Sequence, residues 1–333
     1  MATYTVEDSS LVSVANAIRL KTNSTNKMKF PSEYVSAINA IQTGGVRYTD
    51  KFTEWPDDDN SHFWVSVSEV PLIDGNEVSI VINNEEKKRI NCTIYWGDQE
   101  GTSSAAILVN GFQTFSHSYT TGGVFEIIID SDGGNYSFEY TPPVGERSGD
   151  AVQLVAACIG SRCKNNSDGS KELSDKLFSD SYGLRSVRFP NIVTKIPYQC
   201  FFNCTSMNDV SIPTKIVSIE DSAFYECQSL NYFLIPESCR YIKENAFNKC
   251  YSLFRIDIYS NNITINKSAF FAAFIDELHI YSSNPPTLIE DLPDESGFDW
   301  TIHKIYVPKN AKSIYIGNTS WSKYSSIIYE EPD

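Results

Sequence analysis

The sequence lacks the marks of a membrane-inserted or secreted chain. No apolar stretch reaches the roughly 18 residues that a membrane-spanning helix needs. The first ten residues, MATYTVEDSS, contain neither a basic segment nor an apolar one, so they do not resemble a secretory signal. We therefore expect synthesis in a cytoplasm and, for any role outside a cell, release by another route such as lysis.

Basic residues are few beside acidic ones. The 27 lysines and arginines face 42 aspartates and glutamates, which gives a net charge of −15. This balance argues against nucleic acid binding, because phosphate contacts need clustered basic side chains. Residues 46–150 alone carry a net charge of −12, whereas residues 1–45 carry +1. The shift in charge indicates that 46–150 is a separate unit whose acidity aids solubility, with calcium binding as the alternative.

Motifs that carry catalysis or hold metals are also missing. The sequence has no C-x-x-C pair, no nucleotide-binding glycine loop, no G-x-S-x-G and no H-E-x-x-H. The histidines are scattered, at positions 62, 117, 279 and 303. We therefore predict a non-enzymatic protein without a metal or a cofactor. A glycan hydrolase stays an alternative because carboxylates are abundant, and turnover of wall polysaccharide would reveal it.

Residues 1–45 predict a pair of helices. The first covers about 8–21, and the second begins near Pro31 after a polar break. A hairpin of this size buries too little surface to be stable alone, so we expect it to dock on another surface. A local cap on the next domain is the alternative. The candidate anchoring residues are apolar side chains of the two helices: Leu11, Ile18, Tyr34, Ile38 and Ile41.

The same stretch carries a resemblance. Residues 9–41 read SSLVSVANAIRLKTNSTNKMKFPSEYVSAINAI, with the elements Ile18-Arg19-x-Lys21-Thr22 and Phe30-Pro31. This pattern resembles the N-terminal segment of tail-associated proteins from phages and prophages of Gram-positive bacteria. The resemblance implies that the N-terminus binds phage tail or other virion proteins.

Residues 46–145 change to short strand-like runs separated by Gly, Asn and Asp, which predicts a β-sandwich. Tyr95-Trp96-Gly97-Asp98 ends one run, and His117-Ser118-Tyr119 precedes Gly122-Gly123-Val124-Phe125. This pair of elements resembles the signature of PKD-type immunoglobulin-like domains, although Gln99 stands where the family usually has Gly. The resemblance implies that Trp96 fills the space between the sheets and that Asp98 caps a turn. We expect His117 to be structural rather than catalytic with Asp98.

A 23-residue period dominates the C-terminal half. Its main columns are Ile196, Ile219, Ile242 and Ile265; Phe201, Phe224, Phe247 and Phe270; and Cys204, Cys227 and Cys250, followed by Ala273. About five copies between residues 173 and 280 predict a leucine-rich-repeat type solenoid, in which stacked copies share one continuous core. Small, weakly polar cysteines suit a crowded inward turn, so we predict buried free thiols rather than disulfides.

The repeats themselves carry the third resemblance. SIEDSAFYECQSLNYFLIP and YIKENAFNKCYSLFRIDIY resemble the BspA-like, or treponemal-type, leucine-rich repeat. The segments Asn284-Pro285-Pro286, Ile305-Tyr306-Val307-Pro308 and Trp321-Ser322-Lys323-Tyr324 resemble the closing segment of such solenoids. We therefore predict a linker near residues 141–150, followed by a solenoid with a C-terminal cap over 150–333.

The strand within each repeat predicts a candidate binding face. Alternation places Phe233 and Ile235 inside, and Tyr232 and Leu234 outside. A tyrosine beside arginine and aspartate suits a protein or glycan partner. An ordinary solvated sheet face is the alternative. The candidate binding residues are the outward positions of successive strands: Arg188, Asp209, Tyr232, Leu234, Arg255, Asp257, Glu277 and His279.

The predicted fold class is multidomain and mainly β. It joins a helical docking segment at 1–45, a PKD-like β-sandwich at 46–145 and a BspA-like solenoid at 150–333. Such an order predicts a phage or prophage tail-associated receptor-binding protein, located on the virion, whose partner is a bacterial surface protein or glycan. A purely structural tail or head-decoration protein and a bacterial surface adhesin are the alternatives. Nucleic acid binding and membrane insertion are not expected, and self-association stays open.

Overall fold

The computed structural model describes residues 59–67, 77–84, 89–98, 103–108, 111–120, 122–131, 137–141, 152–160, 173–266, 268–289 and 302–332. The helical hairpin predicted at 1–45 and the linker predicted at 141–150 lie outside these ranges, apart from Thr141. The described part is mainly β, with one short α-helix. Among the described helices, none has the length and apolar character needed to cross a membrane.

Eight strands form the N-terminal unit of the described chain. They are β1 (Ser61–Val67), β2 (Glu77–Asn84), β3 (Ile90–Tyr95), β4 (Ser103–Leu108), β5 (Gly111–Ser118), β6 (Gly123–Ser131), β7 (Ser137–Thr141) and β8 (Val152–Cys158). One sheet runs β4-β3-β6-β1-β8 with antiparallel neighbours, and the other runs β5-β2-β7. Alternating apolar residues such as Val65, Ile80 and Ile94 are buried in a common core. The finer assignment of a PKD-type domain stays a prediction.

The Trp-Gly-Asp element packs on the His-x-Tyr element. The Trp96 ring is 1% exposed and stacks on His117, with ring centres 5.2 Å apart. The hydroxyl of Tyr119 donates a hydrogen bond of 2.7 Å to the carbonyl of Trp96, and its ring stacks on Phe125. His117 Nε2 lies 3.0 Å from Asp98 Oδ2. His117 is therefore held between aromatic rings and a carboxylate.

Gly97 sits at a point where no other residue fits. Its φ is +71°, a region that residues with a Cβ atom rarely adopt. A Cβ atom here would lie 2.2 Å from the carbonyl oxygen of Glu126 on β6. The turn after β3 thus passes directly against the neighbouring strand, which brings Trp96 into the core.

Strand β8 belongs to two structures at once. It pairs antiparallel with β1, where Ala157 faces Phe63, and parallel with the first strand of the repeats, where Ala157 faces Val187. The sheet therefore continues without a break from the N-terminal unit into the solenoid. Val152 to Ile159, which the sequence assigns to the start of the solenoid core, also closes the sheet of the preceding unit.

The repeats stack as a solenoid with two rows of parallel strands, and the row of longer strands is divided between two hydrogen-bonded sheets. The longer strands are β9 (Ser186–Arg188), β11 (Asp209–Ser211), β13 (Tyr232–Ile235), β15 (Arg255–Ile258) and β17 (Ile275–Ile280). The short strands of the second sheet are β10 (Lys195–Ile196), β12 (Ser218–Ile219), β14 (Tyr241–Ile242), β16 (Thr264–Ile265) and β18 (Thr287–Leu288). The solenoid thus reaches Leu288, one short strand beyond the end of the repeats that the sequence suggested at residue 280.

The predicted columns form the core of the solenoid. Phe178, Phe201, Phe224, Phe247 and Phe270 stack ring on ring, with neighbouring centres 5.1 to 5.7 Å apart. Each column cysteine donates its thiol hydrogen to a carbonyl of the preceding turn, for example Cys227 Sγ to Phe201 O at 3.2 Å. Seven cysteines, all those in the described ranges, are buried thiols outside any disulfide, which agrees with the prediction made for Cys204, Cys227 and Cys250. Burial raises the pKa of the Cys250 thiol, which keeps it protonated.

The turns between the sheets use a left-handed backbone at two fixed positions. Among the described residues, eleven that are not glycine have a positive φ, and ten of them fall in two columns of the repeat. One column is Lys176, Gln199, Ser222, Asn245 and Ser268, and the other is Asp180, Asn203, Glu226, Lys249 and Ala272. Each turn of the solenoid therefore reverses direction with the same two-point bend.

A cap closes the solenoid after the last repeat. It consists of β19 (Ile302–Val307), α1 (Lys312–Gly317), a 3₁₀ turn (Ser322–Tyr324) and β20 (Ile328–Glu330). Strand β19 pairs with β17, and β20 pairs with β19, so the long-strand sheet gains two more strands. Trp321 is fully buried, and its indole N–H donates to the carbonyl of Pro286 at 2.8 Å. The cap thereby covers the apolar end of the repeats.

Candidate functional site

The outward side chains of β9, β11, β13, β15, β17, β19 and β20 form one face of the solenoid, here called the ladder face. The alternation predicted from the sequence holds on β13, since Tyr232 and Leu234 are 43% and 39% exposed and Phe233 and Ile235 are buried. The strand register also agrees, because Tyr232 faces Arg255 and Leu234 faces Asp257 across the sheet. The ladder face therefore contains the predicted binding residues in their predicted order.

The N-terminal end of the ladder face offers little open surface. Ser186 is buried, and its hydroxyl donates to Asp209 Oδ2 at 3.3 Å. Arg188 lies half-buried beside Ser211 on the neighbouring strand. Strands β11 and β13 belong to different sheets, so the hydrogen-bonded ladder is interrupted between them. The predicted residues Arg188 and Asp209 are thus set apart from those that follow.

The middle of the ladder face is a network centred on a nearly buried carboxylate. Asp257 accepts a hydrogen bond of 2.8 Å from the Tyr232 hydroxyl and another of 2.9 Å from Arg255 Nε. Arg255 also donates through Nη2 to the Tyr281 hydroxyl at 3.2 Å. Hydrogen bonds to a charged acceptor are the stronger kind, so these side chains are fixed before any partner arrives. Asp257 itself is only 4% exposed, which makes it a support rather than a contact.

The C-terminal end of the ladder face centres on His279. Its Nδ1 contacts Glu331, its Nε2 lies 3.3 Å from Glu277 Oε2, and its ring stacks on Tyr306 with centres 4.5 Å apart. The Lys304 ammonium lies 3.6 Å from Glu277 Oε1. His279 is 5% exposed, so it positions its neighbours while Glu277 stays half-buried at the surface.

Tyrosines outside the predicted set complete the ladder face. Tyr259 and Tyr281 stack with ring centres 4.4 Å apart, and Tyr306 lies next to Tyr329 at 5.9 Å. The Lys312 ammonium stands 5.7 Å above the Tyr329 ring. Together with Tyr232 these residues form a belt of five tyrosines across the last repeats and the cap. Such rings bring apolar area and a hydroxyl with little loss of side-chain entropy.

A signal for two of these tyrosines exists in the sequence. Earlier repeats have an apolar residue and a proline at or just after the end of their long strand, at Phe189-Pro190, Ile212-Pro213 and Ile235-Pro236. The next two repeats replace that proline with Tyr259 and Tyr281, and both lie on the ladder face. Tyr259 and Tyr281 thus differ from the consensus of the repeat at an outward position. The fold does not require a tyrosine there, which makes both residues candidates for binding. The candidate anchoring residues Leu11, Ile18, Tyr34, Ile38 and Ile41 lie outside the described ranges.

The local environment raises the pKa of two belt tyrosines, Tyr232 and Tyr281. Burial, and then the hydrogen bond to Asp257, raises the pKa of Tyr232 to about 12. Burial and the charge of Asp257 likewise raise the pKa of Tyr281 to about 12. The hydrogen bond to Asp257 raises the pKa of Arg255, and the charge of Asp276 raises that of Lys304. At neutral pH Tyr232 and Tyr281 are therefore uncharged phenols, and the hydroxyl hydrogen of Tyr232 stays bonded to Asp257.

Comparison with family models identifies the repeats. Residues 171–288 match the BspA type leucine rich repeat region in six copies. The match has six copies, whereas the sequence columns suggested about five. The mainly β solenoid predicted for this part of the chain is confirmed.

Solved structures of repeat proteins are similar to parts of the chain. A Treponema pallidum leucine rich repeat protein is 24% identical, with a TM-score of 0.34, over 43% of this chain and 63% of its own. The pneumococcal vaccine antigen PcpA is 18% identical, with a TM-score of 0.38, over 54% and 42%. A leucine rich cell surface protein from Faecalibacterium prausnitzii is 20% identical, with a TM-score of 0.33, over 51% and 50%. The chain thus spans less than two thirds of each of these proteins. No curated protein matches the sequence.

Proposed function

We propose that this chain, whose residues 171–288 are BspA-like leucine-rich repeats, is a non-enzymatic, adhesin-type protein of a bacterial surface that holds a protein or glycan on its ladder face. The observation that carries the proposal is the tyrosine belt with its fixed Arg255–Asp257 pair. A solvated sheet face needs no such order, because exposed polar side chains are stable in water without partners. A preset row of rings and charged donors lowers the entropy cost of binding.

The belt suits a partner that spans several repeats. Tyr232, Tyr259 and Tyr329 are each more than a third exposed, and they lie on three different strands or their ends. Tyrosine and arginine are the side chains most often found at the energetic centre of protein interfaces. Many weak contacts along a solenoid add up, and repeated copies on one surface would add avidity.

The finer prediction of a phage or prophage tail-associated receptor-binding protein rests on residues 9–41, which lie outside the described ranges. It shares the ladder face as the binding surface and differs in location, a virion instead of a bacterial envelope. Antibodies against the chain distinguish the two, by labelling intact cells of the source bacterium or particles released after prophage induction. Labelling of particles alone would contradict the adhesin interpretation and support a phage tail-associated protein.

Binding through the ladder face can be tested with paired tyrosine variants of the full chain. The first variant carries Tyr232→Ser and Tyr329→Ser, both on the ladder face. The control carries Tyr198→Ser and Tyr241→Ser, which are 40% and 46% exposed and lie at the short-strand sheet. Labelled proteins are applied to intact bacterial and animal cells and to immobilised glycans, and saturable binding is measured.

The proposal predicts that the ladder variant binds roughly tenfold more weakly or worse, since central interface residues each contribute more than about 1 kcal/mol. The control should bind like the unmodified chain, because it loses the same kind of side chain elsewhere. An equal loss of binding in both variants would indicate nonspecific adsorption through exposed tyrosines. Absence of saturable binding to every surface would support the purely structural alternative.

A further inference from the structure

Strand β1 is buried on both faces, although the described strands cover only one of them. Phe63, Val65 and Val67 point into the core shared with β2. The residues between them point the other way, yet His62 is 4% exposed and Trp64 is 1% exposed. Neither belongs to the shared core cluster of the described residues. A second layer must therefore lie over this outer face.

The buried outer face extends over three strands. Trp64 faces Ala156 on β8 and Glu126 on β6, and His62 faces Cys158 on β8. Ala156 is fully buried and Cys158 is 6% exposed. His62 Nδ1 lies 2.8 Å from Glu126 Oε1 in a pair whose side chains are 5% and 11% exposed. We call this surface, residues His62, Trp64, Glu126, Ala156 and Cys158, the outer patch.

The ladder face gives the contrast within the same molecule. It lies on the same side of the row of strands, beyond the break between β11 and β13, and its Tyr232 and Leu234 are 43% and 39% exposed. A tryptophan standing on an open sheet would expose at least as much, because its flanking neighbours cannot cover its outer surface. The exposure of Trp64 thus reports a covering segment rather than close packing within the sheet.

Among the described elements, β1 packs closely on β6 and β8, and β8 packs on β1 and β9, all of which are strands of one sheet. The stretches 142–151 and 161–172 are mostly polar and lack an apolar stripe. Residues 68–76 hold a short apolar group that includes Leu72 and Ile73, and they are the main competitor.

We infer that the predicted helical pair at residues 9–41 folds back onto the outer patch and buries it. This stretch leads through residues 42–58 directly into β1, and its apolar stripe needs a surface to cover. Helices laid over an apolar sheet face are a standard layer arrangement in proteins. Charge also favours the contact, since residues 1–45 carry +1 and residues 46–150 carry −12.

Labelling of Cys158 tests the inference at the patch itself. The full chain and a variant lacking residues 1–45 are treated with a maleimide, and each cysteine is followed by peptide mass spectrometry. Deletion should speed labelling of Cys158 on the order of tenfold or more, because a protected site otherwise reacts only after rare local opening. Cys92 in the sandwich core and Cys227 in the solenoid are the internal controls and should stay slow.

Full-chain variants keep the test decisive if the deletion unfolds the protein. Ile18→Asp with Ile38→Asp places charges in the helical stripe, and Leu72→Asp with Ile73→Asp is the matched change in residues 68–76. The inference predicts fast labelling of Cys158 in the first variant only, and renewed protection when a peptide of residues 1–45 is added to the deleted chain. Continued protection of Cys158 in the stripe variant, or its exposure in the Leu72 and Ile73 variant alone, would overturn the inference.

Discussion

Single side chains on the ladder face divide into supports and contacts. Asp257 and His279 were both predicted as binding residues, and both are nearly buried under neighbours that they hold in place. Tyr232 and Leu234 are the open positions of the predicted set. The distinction depends on side-chain length, because a short Asp on a strand is easily covered by the long Arg and Tyr beside it. A partner should therefore contact the tyrosines directly, whereas Asp257 should affect binding only through the side chains that it holds in place.

Tyr232 and Tyr281 make the stability of the folded chain fall at alkaline pH. The pKa values of Tyr232 and Tyr281 rise from 10.0 to about 12 in the folded chain, so the folded state holds these protons more tightly than the unfolded state. The contribution of these two protonated hydroxyls to the free energy of unfolding is complete below pH 10 and disappears as the pH rises through 12. Urea unfolding across this range should show the midpoint falling. The double variant Tyr232→Phe and Tyr281→Phe should fall less steeply, with a residual slope from buried Tyr119 and Tyr315.

The left-handed turn positions predict a stabilising substitution. Ala272 has a φ of +54°, which costs a residue with a Cβ atom about 1–2 kcal/mol. Ala272→Gly removes that strain against a smaller entropy cost, so we expect a gain of about 0.5–1 kcal/mol in the free energy of unfolding. Ala269→Gly is the matched control, because Ala269 loses the same methyl group at a position without positive φ and should be destabilised. A loss of stability in Ala272→Gly would contradict the strain argument.

At the level of elements, the phenylalanine column should contribute strongly to stability. Phe224 is fully buried between Phe201 and Phe247 and also meets Phe233 edge-on. Phe224→Ala should lower the free energy of unfolding by about 3–5 kcal/mol, since it leaves a cavity that a stacked solenoid cannot close. Phe271→Ala, at a residue that is 52% exposed, should change it by no more than about 0.5 kcal/mol. Chemical denaturation of both variants measures the difference.

Most of the solenoid could be predicted because its contacts are local in sequence. A column residue packs on its equivalent one repeat away, so the period alone indicates that Ile219 and Phe224 are core and that Cys227 is a buried thiol. The tyrosines of the belt were harder to predict, since Tyr306 and Tyr329 belong to the cap, where no period assigns an outward position. Their register becomes visible only when β19 and β20 join the long-strand sheet.

The shared strand β8 could not be predicted from local pattern. Its apolar run, Val152 to Ile159, fits a solenoid strand, and its second partner β1 lies about ninety residues earlier in the chain. The outer patch was missed for a similar reason. A strand reading His-Phe-Trp-Val from residue 62 can have one buried face or two, and only its measured exposure distinguishes the cases.

At the scale of the whole molecule, the continuous sheet should hold the two units together after the chain is cut. A protease site inserted at residue 145 lies between β7 and β8, so cleavage leaves β8 attached to the solenoid but still paired with β1. We expect both fragments to co-elute in size-exclusion chromatography under native conditions. Leu154→Asp, at a fully buried position on β8, should let them separate after cleavage. Separation without that substitution would contradict a shared core.

The shared strand also decides how the binding surface is best studied. A fragment that begins at residue 150 would keep β8 without its neighbour β1 and would expose an unpaired strand edge, which favours aggregation. Binding measured on such a fragment would mix specific contacts with association through that edge. Variants of the full chain avoid the problem, because β8 keeps its pairing with β1.

The solenoid is closed by β8 at one end and by β19 and β20 at the other, with interchangeable turns between them. Whole turns can be gained or lost in such a stack without uncovering either end, and each one changes the length by about 4.8 Å. Tandem duplication of a short coding segment would then lengthen the solenoid and leave both of its ends unchanged. The length of the solenoid can therefore change in equal steps, by evolution or by engineering, while the tyrosine belt near the cap stays intact.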